Sequence, residues 1–184
     1  MTQAADYPAG LEEQVVLPDG TAVLLRPIRE DDGPLLRDLF ANMTPEDRRR
    51  RFFAPMRALS ETTVWRLSHV DYRHDIALLA LIEAAGTLLG VVRLASEGDN
   101  ARAEFAIALR SDFKGHGLGW VLMERMIRIA AWLGLAELHG YVLRDNEPML
   151  RIAREFGFAI DPDGGDAETV TVRRPIRPDE AGAL

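Results

Sequence analysis

The stretch FKGHGLGW, residues 113–120, places glycines at three alternate positions, Gly115, Gly117 and Gly119. It follows the apolar run AEFAIAL and precedes an apolar run at helical spacing. Glycine lets consecutive backbone N–H groups turn inward, and the first turn of a helix adds positive potential at the same point. The stretch therefore predicts a strand, an anion-binding loop and a helix, in that order. A tight turn without any ligand is the alternative interpretation.

Two common phosphate loops do not fit this stretch. A P-loop requires a Lys-Ser or Lys-Thr pair after its last glycine, and none follows Gly119. The dinucleotide fingerprint G-x-G-x-x-G differs from the G-x-G-x-G spacing found here, and it belongs to the first strand of a parallel sheet. Here the preceding apolar runs predict an antiparallel meander instead.

The remaining pattern predicts an α/β (α+β) chain with a mixed, partly antiparallel sheet. Asp19-Gly20 splits two apolar runs and predicts a hairpin, and Asp99-Asn100 marks a later turn. Further strands are predicted in IALLALIE, TLLGVVRLAS, RAEFAIALR, AELHGYVL, FAID and ETVTVRR. Helices are predicted after Glu30, from Thr44 to Phe53, from Ser60 to Ser68, from Leu118 to Gly134 and from Glu147 to Phe156. We expect a flexible tail over residues 1–14, one domain over 15–178 and a second tail over 179–184.

Composition narrows the possible partners and chemistry. The 184 residues carry a net charge of −7, which argues against a general nucleic-acid or membrane surface. The chain has no cysteine, so disulfides, Cys-ligated zinc and a covalent cysteine intermediate are excluded. No apolar run is long enough to cross a membrane, and the N-terminus lacks the features of a signal peptide. We expect a cytoplasmic protein.

The spacing Lys114-x-x-Gly117-x-Gly119 resembles the pyrophosphate loop of the GNAT superfamily of N-acetyltransferases. Downstream, NEPMLRIAREFGF resembles that family's second signature. The segments LRPIREDD, RRRRFF, VDYRHDIALLAL and AEFAIALRSDFKGHGLG are similar to the catalytic domain of bacterial Pat-type protein lysine acetyltransferases. The likeness extends over about residues 20–175.

The resemblance implies the GNAT fold, acetyl-CoA as co-substrate and no metal. It implies that the strand before the loop pairs with the pantetheine arm and that the loop holds the pyrophosphate. The implied cofactor-binding residues are Ile107, Ala108, Leu109, Lys114, Gly115, His116, Gly117, Leu118, Gly119 and Asn146. The resemblance also implies a protein acceptor, such as an acyl-CoA synthetase.

Glu104 is the candidate general base. Strand alternation places it on one face with Ala106 and Ala108, whose small side chains leave a groove beside the carboxylate. A lysine amine, with a pKa near ~10.4, must lose a proton before it attacks a thioester. Pat-type enzymes have their catalytic glutamate at this place in AEFA, so the resemblance agrees. A solvent-facing strand glutamate is the alternative.

The other groups of the reaction are less clear. A backbone N–H near Ile107 is expected to polarise the thioester carbonyl. Many GNAT members carry a tyrosine general acid four residues before the glycine of their Gly-Phe pair, a position held here by Ala153. Pat-type sequences also tend to lack this tyrosine, which leaves the proton donor to the thiolate unassigned.

Two further clusters have simpler interpretations. Arg48 to Arg51 are interpreted as a solvated helix face, with recognition of an acidic partner or of a cofactor phosphate as the alternative. His69 and His74, with two nearby aspartates, are not expected to bind metal. The predicted function is acetyl transfer to a protein lysine. The alternatives are a small-molecule amine acetyltransferase and a CoA-binding sensor without turnover.

Overall fold

Apolar runs form eight strands in the computed structural model, which describes residues 6–96 and 101–182. The predicted turn at Asp99-Asn100 lies outside the described residues. The strands are β1 (Glu13–Val16), β2 (Ala22–Pro27), β3 (Asp75–Ile82), β4 (Thr87–Ser96), β5 (Arg102–Leu109), β6 (Glu137–Leu143), β7 (Ala159–Asp161) and β8 (Thr169–Pro175). All the strands predicted from the sequence are confirmed.

The described chain contains five α-helices, of which three have a side-chain cap at the N-terminus. The five helices are α1 (Gly33–Ala41), α2 (Pro45–Phe52), α3 (Glu61–Ser68), α4 (Leu118–Trp132) and α5 (Glu147–Glu155). The side chains of Thr44, Ser60 and Asn146 accept hydrogen bonds from the backbone N–H three residues on, and so cap α2, α3 and α5.

The strands form one sheet in the order β1-β2-β3-β4-β5-β6-β8-β7. Every neighbouring pair is antiparallel except β5 and β6. These two strands pair in parallel over only three positions, from Arg102 opposite Glu137 to Glu104 opposite His139. Beyond Glu104 they separate. The mixed, mostly antiparallel sheet predicted from the sequence is confirmed, and its single parallel junction opens a gap.

Two apolar layers enclose the sheet. One face packs on α4 and α5, where Leu122, Met126 and Leu150 are buried. The other face packs beneath α1, with Leu36, Leu39 and Ala108 in that second cluster. Because side chains alternate along a strand, the residues of β5 are divided between the two layers.

The described structure extends past both predicted domain boundaries. A 3₁₀ turn at Ala9–Leu11 buries Leu11, and β1 starts at Glu13, before residue 15. At the other end, the 3₁₀ turn Pro178–Ala181 follows β8, and Ala181 packs against the core. The single-domain assignment itself stays a prediction.

Candidate active site

The gap between β5 and β6 is the mouth of a cleft of about 510 Å³. Beyond Glu104, β5 pairs only with β4 and β6 only with β8, so two strand edges face each other without a ladder. The carbonyl oxygen of Ala101 accepts a hydrogen bond from the first residue of β6, whereas the N–H of Arg110 donates a hydrogen bond to a carbonyl oxygen of β4. Backbone groups of odd-numbered residues therefore point into the gap, including those of Ile107 and Leu109. An extended ligand can pair with this edge.

The glycine loop lies at one end of the cleft. Gly115 and Gly117 have φ angles of 86° and 83°, the left-handed region that glycine adopts at little cost. In the described part of the chain, none of the backbone N–H groups of residues 115–119 donates a hydrogen bond. The first turn of α4 begins there. Consecutive free amides at a helix N-terminus can bind an anion, so this geometry is compatible with the predicted anion-binding loop.

Most of the predicted cofactor residues line the cleft, and one does not. The residues at the cleft wall are Ile107, Ala108, Leu109, Lys114, Gly115, Gly117, Leu118, Gly119 and Asn146. The ring of His116 stacks on Phe113, with centroids 4.5 Å apart, and its Nδ1 lies 2.5 Å from Asp19 Oδ2. The amide of His116 remains among the free N–H groups, while its side chain points to the hairpin between β1 and β2.

Lys114 is held by Asp47 rather than extended toward solvent. The Lys114 ammonium and the Ser111 hydroxyl both donate to the Asp47 carboxylate, and the backbone N–H of Thr44 donates to Ser111 Oγ at 2.8 Å. Burial opposes ionisation of Asp47, but the hydrogen bonds from Lys114 and Ser111 prevail and hold the pKa of that carboxyl below its usual value. Asp47 thus fastens the loop to α2.

Glu104 lies where β5 and β6 separate. It is partly buried, it lines the cleft, and its carboxylate has no hydrogen bond or ion pair within residues 6–96 and 101–182. Ala106 and Ala108 share its face of β5, as strand alternation predicts, and they also line the cleft. A carboxylate left unpaired in this position is available to accept a proton from a bound amine.

The arginine run does not form a solvated face, so that interpretation was wrong for most of it. Arg48 donates to the carbonyls of Phe40 and Ala41, at 3.1 and 3.2 Å. Arg49 bridges Asp145 and Glu168, at 3.1 and 2.9 Å.

Arg50 pairs with Glu46, and both Arg50 and Arg51 line the cleft. The turn of α2 over the sheet brings these two side chains inward. A run of identical residues in the sequence gives no signal of which ones will face the interior.

The cleft is basic although the chain is acidic. Its charged lining residues are four cations and two carboxylates: Arg50, Arg51, Lys114 and Arg151, with Asp47 and Glu104. This excess of positive charge favours an anionic ligand such as one bearing a pyrophosphate. Asp47, Tyr141 and Trp120 are among the wall residues that sequence reasoning missed. Tyr141 and Trp120 are 43% and 48% exposed, as expected of aromatic rings that border an open cleft.

The histidine and aspartate cluster has structural roles. Asp71 accepts from the backbone N–H groups of Arg73, His74 and Asp75, and its second oxygen lies 2.7 Å from His74 Nδ1. The ring of His69 stacks on Trp65. Within the described ranges, no group of three or more His, Cys, Asp or Glu side chains is arranged to hold a metal ion. Among the described helices, none has the length and apolar character needed to span a membrane.

Comparison with known proteins identifies the class that this fold and cleft define. Residues 22–159 match the family model described as an acetyltransferase (GNAT) domain. Acetyltransferase PA5475 of Pseudomonas aeruginosa is 30% identical over 159 residues, covering 85% of this chain and 86% of that protein. The chain therefore belongs to the GNAT family of acetyltransferases, and it is an enzyme of acetyl-CoA-dependent N-acetylation.

Two further relatives carry the name Pat. Acetyltransferase Pat of Mycolicibacterium smegmatis is 31% identical over 137 residues, which are 72% of this chain but only 40% of that protein. The crystal structure of the GNAT domain of S. lividans PAT superposes with a TM-score of 0.86 at 27% identity, covering 93% of this chain and 100% of that one. These matches confirm the predicted fold and the predicted link to Pat-type proteins.

Proposed function

We propose that this enzyme transfers an acetyl group from acetyl-CoA directly to a lysine side chain of a protein, with Glu104 as the general base. The observation that carries the proposal is the unpaired carboxylate of Glu104, which opens into the same cleft as the free amides of residues 115–119. Similarity to Pat-type sequences supports a protein acceptor such as an acyl-CoA synthetase. A cytoplasmic location, consistent with the absence of cysteine, is part of the proposal.

In this proposal the pyrophosphate and the pantetheine arm of the co-substrate occupy different parts of the cleft. The pyrophosphate fits the amides of residues 115–119, with Asn146 and the other wall residues along the arm. The pantetheine arm fits the unpaired edge of β5, where Ile107 and Leu109 direct backbone groups into the gap. In this arrangement the N–H of Ile107 stabilises the negative charge that develops on the thioester oxygen.

The transfer then needs one base and no covalent enzyme intermediate. Glu104 takes a proton from the lysine ammonium, directly or through a water, and the neutral nitrogen attacks the thioester carbon. The C–N bond forms and the C–S bond breaks. The second proton lost by the nitrogen passes through water to the CoA thiolate, and Glu104 returns the first proton to solvent. The helix position that carries a tyrosine in many GNAT enzymes is Ala153 here, which is fully buried. Since alanine has no ionisable group, this position supplies no acid.

Turnover and binding together test the proposal. Purified enzyme is incubated with acetyl-CoA and either an acyl-CoA synthetase, lysine peptides or a panel of small amines. A thiol reagent reports CoA release without background from the enzyme, because the chain has no cysteine, and an acceptor-only reaction corrects for thiols of the acceptor. We expect acetyl-lysine by mass spectrometry and a fall in kcat of about 10²- to 10⁴-fold in Glu104→Gln. Calorimetry should show unchanged acetyl-CoA affinity in this variant, and Glu61→Gln on α3 is the matched control.

Three results would contradict parts of this proposal. Acetylation of small amines alone would exclude the protein acceptor. Full activity in Glu104→Gln would exclude Glu104 as the base. Tight acetyl-CoA binding without turnover on any acceptor would instead indicate a CoA-binding sensor.

A further inference from the structure

Arg51 stands apart from the other arginines of α2. Arg48 donates to helix carbonyls, Arg49 bridges two carboxylates, and Arg50 pairs with Glu46. Within residues 6–96 and 101–182, the Arg51 guanidinium makes no hydrogen bond or ion pair, and its one aromatic contact is with the adjacent Phe52 ring, 4.9 Å from the centroid. An arginine that lines a cleft without a partner is one that a ligand can satisfy.

The surroundings of Arg51 are electrostatically unbalanced. Burial, followed by the positive charges of Arg93 and Arg66, lowers the pKa of Arg51 to about 10, and only Glu104 opposes these effects. The Arg93 guanidinium is already satisfied, because it donates to the Leu67 carbonyl at 2.9 Å and pairs with Asp75. Arg66 is exposed to solvent, so Arg51 is the partly buried guanidinium of this group that is left without a counter-ion.

A small side chamber adjoins Arg51 on the face of β5 that carries Ala106 and Ala108. Its volume is about 40 Å³, and it shares four lining residues with the main cleft: Met43, Arg51, Ala106 and Ala108. No residue of the glycine loop lines it. The rest of the chamber lining is mostly apolar. A small anionic group that the guanidinium neutralises therefore fits the chamber better than water alone does.

We propose that Arg51 binds a carboxylate carried by the acceptor close to its reacting amine, and so selects acceptors that present both groups. This inference rests on the proposed function, since it takes Glu104 as the base that receives the proton of that amine. Arg51 and Glu104 line one cleft within electrostatic reach of each other, but they are not paired in the structure. An acceptor that enters between them satisfies both, with its ammonium toward Glu104 and its carboxylate toward Arg51.

Two kinds of acceptor carry a carboxylate near an amine: a protein with an acidic side chain beside its lysine, and a free amino acid. Two pairs of acceptors distinguish these sources of the carboxylate. The first pair is a lysine peptide with a glutamate near the lysine and the same peptide with glutamine in that place. The second pair is a free α-amino acid and its carboxamide. In at least one pair we expect the wild type to favour the acid in kcat/KM by about tenfold or more, the range of a charge-assisted hydrogen bond. The pair that shows the preference identifies the source of the carboxylate.

Variants then assign the preference to Arg51. We expect Arg51→Gln to bring the acid-to-neutral ratio close to one while activity on the neutral acceptor persists, and Arg51→Lys to retain part of the ratio. Arg49→Gln, two residues away on α2 and outside the cleft lining, should keep the full ratio. Unfolding midpoints of all the variants establish that each is folded.

Several results would overturn the proposal. These are a wild type without preference in either pair, an Arg51→Gln variant that loses both members of a pair equally, and a loss of acetyl-CoA affinity in that variant. If no acceptor is turned over although acetyl-CoA binds, the proposed function fails. Calorimetry of the free amino acid with the CoA-bound enzyme then decides on Arg51, because binding that Arg51→Gln abolishes supports the carboxylate site and no binding overturns it.

Discussion

Two arginines placed against the same sheet have opposite surroundings. Arg26 on β2 is 10% exposed at its side chain, and its Nη1 and Nη2 each lie 2.7 Å from one oxygen of Asp32. The N–H of Arg29 adds a third hydrogen bond to that carboxylate, at 2.7 Å. Arg51 and Glu104 also carry opposite charges, yet neither is hydrogen-bonded or ion-paired within the described chain.

The comparison distinguishes charged side chains that stabilise the fold from charged side chains that are available to a ligand. A buried charge without a partner is unfavourable, so a folded chain usually pairs it. The pair at the start of α1 follows that rule. The cleft departs from it at two side chains, and both face the gap that the β5–β6 junction opens. Unpaired charge is therefore expected to affect reactivity, and paired charge to affect stability.

The largest effect on stability is expected at the paired site. Asp32→Asn leaves Arg26 buried without a counter-ion and should lower the free energy of unfolding by about 3–5 kcal/mol. Below its unfolding temperature the variant should keep its affinity for acetyl-CoA and its turnover. Denaturant titration and steady-state kinetics measure the two quantities. A variant that is as stable as the wild type but inactive would reverse the comparison.

A smaller effect, on affinity, is expected at the loop. Gly115 and Gly134 have φ angles of 86° and 74°, and a Cβ at either would meet no atom within 4 Å. Alanine at either position should therefore cost about 1–2 kcal/mol of backbone strain alone. Only Gly115→Ala alters the amides that face the cleft, so its Kd for acetyl-CoA should rise about tenfold, while that of Gly134→Ala stays unchanged. Equal affinities in calorimetry would show that the loop does not bind the ligand.

Asp47, which lines the cleft and is also paired with Lys114, is expected to contribute about 1–2 kcal/mol to the free energy of unfolding in a pH-dependent way. Because its folded pKa is below its unfolded value, ionised Asp47 stabilises the fold above that unfolded pKa, and this contribution is lost as the pH falls through the folded pKa. Asp47→Asn should therefore be less stable than the wild type at neutral pH, with a difference that shrinks below about pH 4. Denaturation at pH 7 and pH 3 tests this, and a difference independent of pH would contradict it.

The smallest effect is expected at the exposed bridge of Arg49 with Asp145 and Glu168. Its side chain is 39% exposed, and salt screens such pairs. Arg49→Gln should shift the unfolding midpoint less than any variant above, and the shift should disappear at about 1 M NaCl. A large shift that persists in salt would show that Arg49 stabilises the fold in the way that the buried Arg26–Asp32 pair does.

The features visible in the sequence are those set by local spacing. The helix starts at Thr44, Ser60 and Glu147, the alternating glycines and the face shared by Glu104 and Ala106 follow from residues close together in the chain. The pairing of β1 with β2 and the order β3-β4-β5 follow from the short connections between these strands. These features were predicted because neighbouring residues alone determine them.

The features that were missed depend on contacts between distant elements. The direction of Arg51 depends on how α2 rotates over β5, and the contact of Asp47 with Lys114 joins residues 67 positions apart. Similarly, the ring of His116 turns to Asp19, 97 positions away. Composition showed only an excess of arginine, which does not distinguish a solvated side chain from one that faces a cleft.

The central claim is that the free amides of residues 115–119 and the open edge of β5 hold acetyl-CoA. Hydrogen–deuterium exchange of the enzyme, with and without saturating acetyl-CoA, tests it most directly. The account predicts that binding slows amide exchange in residues 115–119 and at Ile107 and Leu109, and leaves the β1–β2 hairpin unchanged. Saturation without any slowing at these residues would contradict the account.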